Sequence, residues 1–210
     1  VKYIYSYFEL TLNTMRKSLL FVWACMGLVC LMSACKTSVK SKEWKLVWVE
    51  DFDQKNSFDE SVWTKIPRGT SDWNNYMSYY DSCYAMQDGN LILRGIANHT
   101  QKNDTAPYLT GGVYTKGKKL FTGGRVEVCA RLQAAKGAWP AIWMLPEKAE
   151  WPKGGEIDIM ERLNHDRIAY QTTHSYYTHI LGIKDNPPHG GINKINPEEY
   201  NIYSVDIYPD

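Results

Sequence analysis

The stretch GEIDIME, residues 155–161, predicts a β-strand, because isoleucines and acidic residues alternate along it. A period of two places Glu156 and Asp158 on one face of that strand and the isoleucines on the other. Glu161 breaks the alternation, and it joins the acidic face only if a β-bulge near Ile159 absorbs one extra residue. The sequence therefore predicts a bulged strand with three carboxylates on one face.

Three crowded carboxylates favour the chemistry of a retaining glycosidase. Like charges at close range raise one pKa, so that one group keeps its proton near neutral pH while a neighbour stays ionised. Such an enzyme needs one carboxylate that attacks the anomeric carbon and one acid that protonates the leaving oxygen, about 5–5.5 Å apart. We expect Glu156 and Glu161 to form this pair and Asp158 to hydrogen-bond the nucleophile. The alternative is a solvent-facing acidic strand without function, which is the commoner meaning of a generic E-x-D pattern.

The same stretch resembles the E-I-D-I-M-E signature of the laminarinase-like enzymes of glycoside hydrolase family 16. The resemblance implies that Glu156 is the nucleophile, Glu161 the acid/base and Asp158 the assisting carboxylate. It also implies a jelly roll whose concave sheet carries the substrate cleft. The resemblance extends, in the family's order, over residues 44–210, through LVWVEDF at 46–52, DGNLILRGI at 88–96 and the block at 111–146.

Aromatic residues favour a carbohydrate ligand. The chain has 8 tryptophans and 15 tyrosines, and such rings stack on the C–H faces of sugars. Trp139 and Trp143 match the family's tryptophans beside the cleaved bond, and His174 matches a histidine that the family often has near the acid/base. Trp151 and Trp73 are further candidates for contact with the substrate.

The sequence leaves the sugar open. Most of the pattern indicates an endo-acting enzyme on a β-1,3- or β-1,3(4)-glucan. However, ERLNHD at 161–166 and SYYTH at 175–179 depart from the family's usual sequences, and Cys129 replaces a common arginine. These departures keep open an endo-β-galactosidase acting on host O-glycans or algal galactans. Two non-enzymatic alternatives, a carbohydrate-binding jelly roll and a structural surface lipoprotein, need no set of three acids.

The first 35 residues predict export. MRK at 15–17 precedes an apolar run at 19–32 and small residues before Cys35, which resembles a bacterial lipoprotein signal. The run is shorter than the about 20 residues of a membrane span. We expect a lipid on Cys35, a polar tether at 36–43, and a protein anchored at a membrane in the periplasm or at the cell surface; an ordinary export signal is the alternative. Residues 1–14 carry no targeting pattern and are expected to precede the true start.

The net charge limits the kinds of molecule that the protein is expected to bind. A net charge of +1 without a basic stripe argues against nucleic acid and favours a neutral polysaccharide over a heavily sulfated one.

Cys83 and Cys129 are the cysteines of the mature domain, and we expect two separate buried thiols, with one disulfide as the alternative. No zinc-ligand spacing is present, so we expect no cofactor, although the family is compatible with a structural calcium ion. We expect a monomer.

Residues 44–210 indicate a single all-β domain. Short β-rich runs follow one another between clusters of Gly, Asn, Asp and Pro, without a long helical period. This pattern predicts an antiparallel β-sandwich, with Trp48 and Trp63 in its core. SVDIYPD at 204–210 resembles a strand that the family follows with several others, so we expect a domain truncated at its C-terminus. The runs are LVWVE, NLILRGI, GRVEVCARL, AIWML, GEIDIM, AYQTTHSYY and NIYSVDIY.

Overall fold

The structure is a computed structural model that describes residues 2–7, 44–53 and 57–208. The predicted lipid site Cys35 and the tether at 36–43 lie outside the described residues. The elements are β1 (Lys2–Tyr7), β2 (Trp44–Glu50), β3 (Thr64–Lys65), β4 (Tyr84–Gln87), β5 (Asn90–Leu93), β6 (Gly95–Ala97), β7 (Tyr108–Thr110), β8 (Val113–Tyr114), β9 (Gly124–Ala130), β10 (Ala141–Met144), β11 (Glu156–Glu161), β12 (Ile168–His174), α1 (Tyr176–His179), β13 (Gly190–Lys194), β14 (Asn201–Ile207) and a 3-10 turn (Asp81–Cys83).

The strands form two antiparallel four-stranded sheets that pack against each other. One sheet has the order β14, β9, β1, β2, and the other has the order β10, β11, β12, β13. Three two-stranded ladders pair β3 with β8, β4 with β5 and β6 with β7. The predicted all-β antiparallel sandwich is therefore confirmed.

The main core lies between the two sheets. Val126 of β9 and Tyr203 of β14 come from one sheet, and Ile159, Met160 and Ala169 come from β11 and β12 of the other. All five residues are at most 5% exposed. Because burial of one large apolar side chain contributes about 1.5–3 kcal/mol, these contacts hold β11 with its apolar face inward. The opposite face of β11, which carries the acids, is thereby directed away from the core.

A second buried group lies outside this cluster and contains Phe58, Trp63, Ile66, Cys83 and Leu109. Trp63 is 4% exposed, and its Nε1 donates to Glu50 Oε2 at 2.9 Å, which satisfies the one polar atom of the indole. Trp48 is half-buried and packs against the main core. The prediction that both tryptophans are core residues is confirmed.

Several segments differ from the sequence-based expectation, and the short strands β3, β4, β7 and β8 are not among the predicted runs. The run AYQTTHSYY is not extended throughout, because β12 ends at His174 and the following residues form α1, which Ser175 caps. Strand β13 escapes prediction because it is exposed along its whole length and has no apolar alternation. The strand at Lys2–Tyr7 also escapes prediction; it pairs with both β2 and β9.

Cys83 and Cys129 are both free thiols, the first buried and the second half-buried. The expectation of two separate thiols is confirmed, although Cys129 is less buried than expected. Among the described residues, none of the helices has the length and apolar character needed to cross a membrane.

Candidate active site

The three acids lie on β11, whose register contains the predicted bulge. Asp158 pairs with Thr172 and Glu161 pairs with Tyr170, so three steps along β11 match two steps along β12. The ladder with β10 shifts at the same place. The extra residue returns Glu161 to the face that carries Glu156 and Asp158.

The bulge also explains the burial pattern of this strand. Ile159 is 2% exposed and Met160 is fully buried, although neighbouring residues of a regular strand point to opposite faces. Both side chains enter the core, and the outer acids Glu156 and Glu161 remain half-buried. The bulge therefore anchors the strand and aims the acids at the same time.

Asp158 is the most buried of the three acids, with 5% of its surface exposed. Burial, and then the charges of Glu161 and Glu156, raise the pKa of Asp158 from 3.8 to about 7. One carboxyl pKa is thus raised, as the sequence predicts, and the group is the middle carboxylate, with burial as the largest cause. Asp158 keeps its proton up to neutral pH and can donate a hydrogen bond.

Each outer acid accepts a hydrogen bond from an indole N–H. Trp151 Nε1 donates to Glu156 Oε2 at 2.6 Å, and Trp139 Nε1 donates to Glu161 Oε1 at 2.8 Å. Both hydrogen bonds have donor–acceptor distances within the normal range or shorter, and they fix the orientation of each carboxyl group. The sequence predicts both tryptophans as sugar contacts. The structure adds that their polar edges hold the acids, while the rings stay about half exposed, at 48% and 45%.

His174 lies beside Asp158 and not beside Glu161. Its Nε2 is 3.1 Å from Asp158 Oδ2, and it pairs across the ladder with Glu156. The resemblance predicts a histidine near the acid/base Glu161, but Tyr170 holds the position opposite that residue. Because β12 runs antiparallel to β11, its last residue meets the beginning of β11. One shared proton satisfies both groups, since either the carboxyl group or the imidazole can donate.

A pair of tryptophans borders the acids on the β10 side. Trp143 pairs across the ladder with Asp158, so its side chain shares the acidic face. Trp73 meets the Trp143 ring edge-on, with ring centroids 5.1 Å apart and an interplanar angle of 75°. Trp73 is 40% exposed and comes from the loop after β3. The structure thus brings the predicted aromatic residues to the acidic face or to its rim.

Neither of two cavities in the structure is lined by the outer acids. A cavity of about 380 Å³ is lined by Arg162 and Arg167 among others, and by none of the three acids. A smaller cavity of about 150 Å³ touches Asp158 but neither Glu156 nor Glu161. Glu156 and Glu161 are half-buried, so part of each side chain is accessible from the surface.

Metal ligands are not gathered at this site. Across residues 44–53 and 57–208, no three or more side chains of His, Cys, Asp or Glu form a group that could hold a metal ion. The structural calcium ion named above stays a prediction.

His179 contacts the site, and the sequence analysis does not predict it as a site residue. His179, at the end of α1, packs against the ring of Trp151, with centroids 4.6 Å apart and an interplanar angle of 62°. The sequence could have indicated this contact through Ser175, which follows His174, and Thr178, three residues later. This spacing resembles a capping box and indicates a helical turn. Such a turn returns the chain toward the strand it has just left.

The raised pKa of Asp158 predicts a pH-dependent stability. A group whose pKa is higher in the folded state stabilises the fold fully below about pH 4, and that contribution is lost as the pH rises through about 7. Asp158→Asn cannot ionise and lacks this loss. We expect the free energy of unfolding of Asp158→Asn, relative to wild type, to be higher at pH 8 than at pH 4 by on the order of a few kcal/mol.

Denaturant unfolding at both pH values measures this difference. Glu147→Gln, a change of the same kind at an exposed acid, is the matched control and should show little dependence on pH. An equal change in stability at pH 4 and pH 8 for Asp158→Asn would contradict the assignment of the buried proton.

A family model and a solved structure both match this chain. Residues 101–194 match a family model described as "XgeA-like, catalytic GH16 domain". The laminarinase of Rhodothermus marinus superposes with a TM-score of 0.68 at 30% sequence identity, over 80% of this chain and 69% of that structure.

Two relatives are similar in sequence. The keratan-sulfate endo-1,4-beta-galactosidase of Sphingobacterium multivorum is 38% identical over 174 residues, which covers 80% of this chain and 40% of the relative. The beta-glucanase of Rhodothermus marinus is 31% identical over 193 residues, which covers 86% of this chain and 65% of the relative. The chain thus spans less than two thirds of the length of either relative.

Proposed function

This chain belongs to glycoside hydrolase family 16, and on that premise we propose that the protein hydrolyses internal β-linkages of a polysaccharide with retention of configuration. The observation that carries the proposal is the acidic face of β11, where a bulge brings Glu156, Asp158 and Glu161 together. An indole N–H orients each of the outer two acids. A carbohydrate-binding protein has no need of this arrangement.

The first half of the reaction forms a covalent intermediate. A carboxylate oxygen of Glu156 attacks the anomeric carbon, and the bond from that carbon to the glycosidic oxygen breaks. Glu161 gives its proton to the leaving oxygen, so the leaving chain departs as a neutral alcohol. Because Trp151 Nε1 donates a hydrogen bond to Oε2 of Glu156, we assign the attack to Oε1.

The second half releases the product. Glu161, now ionised, takes a proton from a water molecule that attacks the anomeric carbon, and the bond to Glu156 breaks. Two displacements at the same carbon restore the β-configuration. Trp139 donates to Oε1 of Glu161 in the structure, and we assign it the task of holding this group in place while it alternates between acid and base.

Asp158 acts on the nucleophile through its proton. With its pKa near 7, it is neutral over most of the acidic range and adds no third negative charge beside Glu156 and Glu161. His174 Nε2 lies 3.1 Å from Asp158 Oδ2. The nucleophile therefore shares the face of β11 with a neutral carboxyl group and not with a second anion.

Two linkages compete as the substrate. Sequence motifs favour a β-1,3- or β-1,3(4)-glucan, and the relative from Rhodothermus marinus is a beta-glucanase. The relative with the higher identity, 38%, is a keratan-sulfate endo-1,4-beta-galactosidase. We therefore place an internal β-galactosidic linkage first and the β-glucan second. The near-neutral charge of the chain favours an unsulfated glycan in either case.

A digestion panel with the full-length protein separates these candidates. The panel contains laminarin, mixed-linkage β-glucan, agarose, desulfated keratan and mucin O-glycans, and products are sized over time. Early loss of polymer length with oligosaccharide products supports endo cleavage, and the substrate cleaved identifies the linkage. Release of monosaccharide alone, without shortening of the polymer, would contradict the proposal.

The proposal includes an anchor at the other end of the chain. We expect Cys35 to carry a lipid that holds the catalytic domain at a membrane outside the cytoplasm. Acyl chains contribute about 0.8 kcal/mol per buried methylene, so loss of the thiol should release the protein into the soluble fraction. Fractionation of cells that express Cys35→Ser measures this, with Cys83→Ser as the matched control. A Cys35→Ser protein that stays wholly membrane-bound would contradict the anchor.

A further inference from the structure

His179 is not part of the catalytic strand β11, yet it lies next to the active site. It ends α1, a single helical turn that follows β12, and its side chain is exposed. Its ring packs on Trp151, and it also meets the ring of His174 edge-on, with centroids 6.0 Å apart. His179 thus touches both side chains that contact the acids at the Glu156 end of β11.

The backbone of α1 fixes where His179 stands. Ser175 Oγ accepts from the Thr178 N–H at 3.2 Å, and Thr178 Oγ1 accepts from the Ser175 N–H at 3.2 Å. The N–H of His179 donates to the Ser175 carbonyl at 2.8 Å. Because these bonds begin directly after His174, the turn holds the His179 ring at a set distance from the end of β12.

Trp151 needs such support, because it does not lie on a strand. It occupies the turn between β10 and β11, and 48% of its surface is exposed. An exposed indole on a turn can rotate away from its acceptor, whereas the N–H must stay 2.6 Å from Glu156 Oε2 to hold that carboxylate. A ring contact on the side of α1 restricts this rotation.

We propose that His179 is a positioning residue, which holds Trp151 so that its N–H keeps Glu156 aimed at the anomeric carbon. The inference rests on the proposed function, since it assigns His179 to the first displacement. Ring packing carries the effect. An aromatic ring without charge should therefore replace the imidazole.

The test compares kcat and KM for five forms of the full-length protein on the polysaccharide that it cleaves. The forms are wild type, His179→Ala, His179→Phe, Trp151→Phe and the double variant His179→Ala with Trp151→Phe. Trp151→Phe keeps a ring but removes the N–H donor, so kcat should fall by about ten- to a hundredfold. His179→Ala should lower kcat by about three- to tenfold with little change in KM.

Two comparisons decide the mechanism of the effect. His179→Phe should restore kcat to within about twofold of wild type, because the ring contact returns. Removal of His179 in the Trp151→Phe background should change kcat by less than about twofold, because the hydrogen bond it supports is already absent. His99→Ala, at an exposed histidine between β6 and β7, is the matched control and should match wild type.

Several outcomes would overturn the inference. A rise in KM without a fall in kcat would make His179 a substrate contact. Equal losses for His179→Phe and His179→Ala would mean that the ring contact does not carry the effect. Losses that multiply in the double variant would mean that His179 acts independently of Trp151. Failure of the proposed function looks different, since wild type would then cleave no β-linked polysaccharide.

Discussion

Glu156→Gln is expected to lower kcat by about 10³-fold or more while the protein stays folded. Glutamine has nearly the shape of glutamate, and its carbonyl oxygen can still accept from Trp151, so the change removes the nucleophile and little else. Thermal unfolding of the variant should match wild type. Near-normal kcat with intact folding would remove Glu156 from the reaction.

A smaller side chain at the same position gives a sharper result. Glu156→Ala leaves a space in which a small anion such as azide can attack the anomeric carbon. Because only one displacement then occurs, the product should be the α-glycosyl azide, and activity should recover with azide concentration. A β-azide from this variant would mean that Glu156 is not the nucleophile.

Glu161→Gln is expected to show the second largest loss, and the loss should depend on the leaving group. Proton transfer by a positioned acid contributes about 10²–10⁴-fold, so cleavage of the natural polysaccharide should slow by that factor. A dinitrophenyl glycoside needs no protonation to leave. With this substrate, formation of the intermediate should stay close to the wild-type rate.

The same reasoning separates Glu161 from Glu156. In Glu161→Ala, azide attacks the covalent intermediate in place of activated water, so the product should be the β-glycosyl azide. Equal losses for activated and natural substrates would contradict the acid/base role of Glu161. Loss of folding is monitored by thermal unfolding, as for Glu156.

The sequence is sufficient to predict the catalytic strand. The alternation in GEIDIME predicts which residues of β11 share a face. Glu161 breaks that alternation, so it can join the acidic face only through a bulge, and the register of β11 with β12 has this bulge. Apolar and β-branched runs predict most of the strands, because a half-buried strand needs an alternating pattern to pack. Strand β13 is exposed throughout and lacks that pattern, so the sequence does not predict it.

The orientation of side chains is less predictable. The resemblance to the family implies tryptophans near the acids, but an indole can present its ring or its N–H, and the sequence does not specify which one. In the structure, Trp139 and Trp151 direct N–H groups to Glu161 and Glu156. Such contacts depend on the turn that leads into β11 and on the loop before β10, whose geometry is set by tertiary packing.

The identity of the protonated acid also depends on three-dimensional burial. The three carboxylates are similar in sequence context, yet Asp158 is 5% exposed and the outer two are half-buried. Desolvation is therefore the largest cause of the raised pKa of Asp158, ahead of the charges of its neighbours. Spacing alone predicts crowding but not which group loses its solvent.

The anomeric configuration of the first product tests the central claim most directly. Proton NMR follows cleavage of a β-linked oligosaccharide by the full-length protein before mutarotation mixes the anomers. A double displacement by Glu156 and Glu161 predicts that the β-anomer appears first and that the α-anomer grows in later, without enzyme dependence. An α-anomer as the first product would mean a single displacement by water, and would contradict the account.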